Sequence, residues 1–99
     1  SIVYKTLKQL SLNLAWCDNI TDVSTLGNVH TLDLSRCDKI EDVSELGNVH
    51  TLNLACCYNI VDVSALINVH ILDLSYFYDL KDISALINVY KLNLTHTSV

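Results

Sequence analysis

A period of 20 residues runs through the chain without an insertion. Leu12, Leu32, Leu52, Leu72 and Leu92 fall in one register, and Leu14, Leu34, Leu54, Leu74 and Leu94 in another. Asp22, Asp42, Asp62 and Asp82 recur, followed by Val23, Val43, Val63 and Ile83 and then by Ser24, Ser44, Ser64 and Ser84. Leu26, Leu46, Leu66 and Leu86 come next, and Asn28, Asn48, Asn68 and Asn88 complete the set. A unit this short cannot enclose a core. It must bury its apolar residues against the next copy, one layer per repeat.

Within a unit, Thr31-Leu32-Asp33-Leu34-Ser35 alternates polar and apolar residues, the period of a strand. Asp42 to Asn48 is too short for an α-helix and fits a 3₁₀ turn or a bend. Asp42 or Ser44 can cap its first free N–H groups. Each unit is then one short strand and one tight return. Stacking is expected to bury Leu32, Leu34, Ile40, Val43, Leu46 and Val49 against their equivalents.

The 99 residues are expected to form one repeat domain with about five strands, residues 1–8 serving as a partial N-cap and no C-cap evident. Apolar residues are 51% of the chain and aromatics 7%, so the core is aliphatic. With no Pro and two Gly, turn chemistry falls to Asn, Asp and Ser. A formal net charge of −5 argues against nucleic acid or an anionic membrane as partner. No apolar run approaches the roughly 18 residues of a membrane span. Four Cys are present, and free thiols would fit a reducing compartment, the cytoplasm.

The unit Leu26-x-x-Val29-x-x-Leu32-x-Leu34-x-x-Cys37-x-x-Ile40-x-Asp42-Val43-x-x-Leu46 resembles a leucine-rich repeat. The resemblance covers about Leu7 to Asn93. Leu12-x-Leu14-x-x-Cys17-x-x-Ile20-Thr21-Asp22 is similar to the cysteine-containing subclass, and Ile20-Thr21-Asp22-Val23-Ser24-x-Leu26 to internalin repeats with a shorter return. Short arrays encoded by giant viruses of amoebae are also similar, which would place the chain in a host cytoplasm. The resemblance implies a solenoid with a concave parallel β-sheet, short 3₁₀ or turn returns on the convex side, and ligand binding on the concave face. It also implies that Cys17, Cys37, Cys57 and the equivalent Phe77 point inward, where the thiols bond turn backbone.

Equivalent residues stack in ladders about 4.8 Å apart, and each choice is read down its row. The Cys row reads as a buried, reduced ladder. The spacing also falls within disulfide range, but parallel side-chain vectors oppose that bond. Cys56 lies outside the row and is expected to face solvent. His30, His50, His70 and Tyr90 form a polar row, and three stacked imidazoles could also bind metal or sense pH. Asn13, Asp33, Asn53, Asp73 and Asn93 form a mildly acidic strip in which Asp never neighbours Asp, avoiding cross-strand repulsion. The strip reads as a binding surface, a solvated strand face, or both. Four stacked Asp at 22, 42, 62 and 82 imply that each accepts backbone N–H bonds; a Ca²⁺ ladder is the sharper alternative. The Asn28 row reads as an amide ladder at the turns.

Specificity is expected where repeats differ. Trp16, Arg36, Cys56, Tyr76 and His96 occupy one position, and Asp18, Asp38, Tyr58, Tyr78 and Ser98 another. Trp, Tyr and Arg dominate interface hot spots; the same rings could instead cover the end of the core. No nucleophile sits beside a poised base and no Gly-rich phosphate loop exists, so the chain is expected to be a non-enzyme without cofactor. The expectation is recognition of another protein through Trp16, His30, Asp33, Arg36, His50, Tyr58, His70, Asp73, Tyr76, Tyr78 and Tyr90. Self-association, a homodimer or larger assembly through uncapped ends, is the alternative. A metal- or pH-responsive His row is the third.

Overall fold

The computed structural model describes residues 2–98, the side chains of Val3 and Tyr4 excepted. Five three-residue strands form one parallel sheet in chain order: β1 (Ser11–Asn13), β2 (Thr31–Asp33), β3 (Thr51–Asn53), β4 (Ile71–Asp73) and β5 (Lys91–Asn93). The pairing follows the sequence period, with Leu12 opposite Leu32, Leu32 opposite Leu52, Leu52 opposite Leu72 and Leu72 opposite Leu92. Returns between strands carry 3₁₀ turns at Ser24–Leu26, Ser44–Leu46 and Ser84–Leu86. The third return, at residues 64–66, is a plain turn. This architecture is compatible with a repeat-like solenoid.

The core is built as the period requires. Leu32, Leu34, Ile40, Val43, Leu46 and Val49 are fully buried, and so are Leu52, Leu54, Cys57, Ile60, Val63, Leu66 and Val69 one layer on. The outer layers are less covered: Leu12, Leu14, Cys17 and Ile20 at one end and Val89, Leu92 and Leu94 at the other are only partly buried. The segment expected to serve as a partial N-cap is helical: residues 2–9 form α1 (Ile2–Gln9). Leu7 and Leu10 pack against the first layer, and their carbonyls accept the N–H of His30. Among the described residues no helix is long and apolar enough to cross a membrane.

The Asp row explains how four carboxylates tolerate stacking. Oδ1 of Asp22, Asp42 and Asp62 accepts the N–H of the Ser two residues on at 2.9 Å, and Asp82 does so at 2.8 Å. Bonds from that Ser hold each carboxyl below its ordinary pKa. The backbone bond leads at Asp22 and Asp82, the hydroxyl at Asp42 and Asp62. Each charge is thus met within its own return. In the Asn28 row one amide rung is closed, Asn68 Nδ2 donating to Asn48 Oδ1 at 3.3 Å.

Candidate functional site

The outer face of the sheet carries the polar half of each strand's alternation. A shallow trough of about 340 Å³ opens there, its floor formed by Thr31, Thr51, Ile71, Asp33, Asp73 and Lys91 among others. The Asx strip therefore lies on the open face, as its alternation demands. It also has a second task. Oδ1 of Asp33, Asn53 and Asp73 accepts the N–H two residues on at 2.9 Å, and Asn13 and Asn93 do so at 3.0 Å. These bonds bend the chain away from the strand.

The bend ends in an unusual backbone. Leu34 C=O accepts the Cys37 N–H at 3.1 Å, closing a β-turn, and Leu14, Leu54 and Leu94 close equivalent turns. The third residue of each turn has positive φ, as in a type II turn, a place that favours Gly or Asn. Here the occupants are Trp16 (φ 66°), Arg36 (61°), Cys56 (62°), Tyr76 (66°) and His96 (57°). Left-handed backbone costs an L-residue about 1–2 kcal/mol. The conformation is held in place by the next repeat: the N–H groups of Trp16, Arg36, Cys56 and Tyr76 donate to Ser35, Ala55, Ser75 and Thr95 carbonyls at 2.8–3.1 Å. The side chains form a ridge. The Arg36 guanidinium lies 4.6 Å over the Trp16 ring, and the Tyr76 and His96 rings stack at 5.0 Å. Two residues beyond, Tyr58 and Tyr78 stack at 6.3 Å.

Cys56 departs from its expected place. It is buried, not solvent-facing. The smallest member of the ridge, it sits between the longer Arg36 and Tyr76, and its side chain holds the Tyr58 hydroxyl above its ordinary pKa. The neighbouring thiol row is inward. Cys37 Sγ donates to Leu14 C=O at 3.1 Å and Cys57 Sγ to Leu34 C=O at 3.0 Å. Burial pushes both thiols up, Cys57 to about 12, so they are poor nucleophiles. All four cysteines are free. Phe77 has no donor to offer at its place in the row, while Thr97 Oγ1 donates to Leu74 C=O.

On the other flank of the trough stands the His row. Ring centroids are 4.5 Å apart for His30 and His50, 4.8 Å for His50 and His70, and 4.7 Å for His70 and Tyr90. Nδ1 of His30 and His50 bonds the Thr31 and Thr51 hydroxyls at 2.7 and 2.8 Å. Desolvation, then the like charges of His30 and His70, hold His50 below the usual imidazole pKa. The His30 and His50 planes are 12° apart, so their free nitrogens point side by side rather than at a common centre. Among the described residues no group of three or more His, Cys, Asp or Glu is placed to hold an ion.

The residues singled out from sequence thus fall into three strips. His30, His50, His70 and Tyr90 form one ladder. Asp33 and Asp73 lie in the trough. Trp16, Arg36 and Tyr76 form the ridge, with Tyr58 and Tyr78 beside it. Sequence reasoning passed over Lys91, which stands on the trough floor where Thr31 and Thr51 stand in earlier repeats, and the left-handed backbone of the ridge. The available signal for the latter was the Asx residue three positions earlier in every repeat. No protein-family model matches the chain, and no curated protein matches it.

Proposed function

We propose that the chain is a leucine-rich repeat solenoid that binds a partner protein across the concave, outer face of its sheet, without catalysis. One observation carries this reading: four adjacent strands present a continuous trough flanked by the His ladder on one side and by the ridge of Trp16, Arg36 and Tyr76 on the other. Such a surface offers polar and charged groups on its floor for hydrogen bonding and anchoring groups at its rims. The four free thiols support a reducing compartment such as the cytoplasm.

The test compares proteins captured by the wild-type chain, by Thr51→Arg and by Ser64→Arg. Thr51 lies on the trough floor and Ser64 in a return. A partner held by wild type and Ser64→Arg but lost by Thr51→Arg is the expected result. Equal capture by all three would sink the concave-face reading. A second reading is self-association of this chain. It is favoured by the partly buried Val89, Leu92 and Leu94, whose equivalents one layer earlier are fully buried. Molar mass across a concentration series separates the two, since a monomer throughout removes the second.

A further inference from the structure

We infer that the left-handed ridge is itself a docking surface, and that its ligand is an extended peptide segment carrying arginine side chains. The inference rests on the proposed role of the chain as a binding module, and names the partner chemistry. The first argument is strain. Five consecutive repeats adopt positive φ at the same position, and none uses Gly or Asn there. Glycine would relieve the backbone at no steric cost. Strain that recurs at surface positions, and is locked by hydrogen bonds from the next repeat, points to a role for the side chains it displays. All but Cys56 are large, and Trp16 is 66% exposed and Tyr76 40%.

The second argument is chemical. The ridge already binds one guanidinium, Arg36 stacked on Trp16 at 4.6 Å. That is the ring-and-cation geometry a partner arginine would repeat on the exposed Trp16 itself or on Tyr76, Tyr58 or Tyr78. Carboxylates outnumber cations in the sequence around the ridge: Asp18, Asp38 and Asp79 follow the ridge positions and Asp33 and Asp73 precede them, against Arg36 and Lys39. Arg36 is the only Lys or Arg in the ridge, and its face is spent on Trp16. An acidic ligand would therefore meet more repulsion than attraction. The net charge of −5 opposes a nucleic-acid strand for the same reason.

The experiment uses the 99-residue chain and two labelled peptides of equal length, one with arginine at alternate positions and one with glutamate. Anisotropy reads binding, and the emission of Trp16, the only tryptophan, reports contact at the ridge. The arginine peptide is expected to bind and to quench Trp16 in the wild-type chain, and to weaken as salt rises. Trp16→Gly and Tyr76→Gly are expected to weaken binding about tenfold each while melting no lower than wild type, because glycine suits the backbone they leave. Saturable binding that is unchanged in both variants, equal affinity for the glutamate peptide, or no binding of the arginine peptide would overturn the proposal. So would variants that melt several degrees lower with binding intact, since the rings would then be framework. Arginine-peptide binding lost in Thr51→Arg but kept in both glycine variants would defeat the ridge and leave the concave-face reading standing.

Discussion

The returns of the first two repeats and those of the last two solve the same stacking problem differently. In the first half Gly27 or Gly47 follows the 3₁₀ turn; in the second the equivalent residue is Ile67 or Ile87. A Cβ at Gly27 would stand 2.3 Å from the Glu45 carbonyl oxygen, and one at Gly47 2.3 Å from that of Ala65. Both glycines have ordinary right-handed backbone, φ −64° and −62°, so what they provide is space and not conformational freedom. Ile87 has nearly the same backbone, φ −56°. The isoleucines point outward and are exposed. Where Ile67 stands, the 3₁₀ turn is missing from residues 64–66. Sheet hydrogen bonds fix the spacing on one side of the stack; on the other side it depends on whether a side chain stands between successive returns.

The largest effect expected from breaking this difference comes from Gly47→Val. The added atoms would press on backbone that cannot rotate away, and overpacking of this kind costs about 1–3 kcal/mol. For a chain of this size that lowers the melting temperature by roughly 4–8 °C per kcal/mol. Ile67→Gly removes a half-exposed side chain and is expected to cost about 1 kcal/mol or less. Thermal melts of the pair check the contrast. If Gly47→Val melts with the wild type, close approach of the returns is not what the glycine provides.

A smaller effect is expected in the thiol row, which also divides the halves. Cys37 and Cys57 bond the carbonyl of the preceding repeat, Phe77 cannot, and Thr97 takes up the same bond. Cys57→Ala would leave Leu34 C=O without that donor, at a cost of about 1–2 kcal/mol. Cys57→Thr supplies a hydroxyl where Thr97 already proves compatible, so it should recover much of the loss. Denaturant melts measure both. Equal stability of the Ala and Thr variants would mean that a donor at this place contributes nothing.

Much of the fold was legible because a period of 20 residues is also a strand register. Once Leu32 and Leu52 are equivalent, their pairing, the buried layer and the polar outer face follow. The 3₁₀ returns were legible from their length, and the Asp row from the cost of stacking unmet charges. The left-handed ridge was not, since Trp16, Arg36 and Tyr76 carry no propensity for positive φ; only the Asx residue before each turn gave a hint. Cys56 was misplaced because burial in a ladder depends on the size of its neighbours, Arg36, Tyr58 and Tyr76, and not on its own row. α1 was missed because comparison between repeats says nothing about a segment that does not repeat. The two ring ladders could be enumerated from sequence, but their positions either side of one trough needed coordinates.

The smallest expected effect is acid sensitivity of the His ladder, which runs through three repeats and stops at Tyr90. His50 has a folded pKa below its ordinary value. The unfolded chain therefore takes up that proton more readily, and stability rises with pH in this window. The contribution is complete above about pH 6.5 and is lost as pH falls through the lowered value of His50. The Asp row has the same sign in a lower window. Its contribution is complete above about pH 4 and is lost as pH falls through the lowered values of Asp22, Asp42, Asp62 and Asp82. Melting should fall slightly from pH 7.5 to 5.5 and again toward pH 3. His50→Asn should abolish the first step and keep the second, because the Asp bonds lie in the returns, away from the rings. Equal melting of the wild type at pH 7.5 and 5.5 would mean that the stacked imidazoles accept charge without disturbing the strands that carry them.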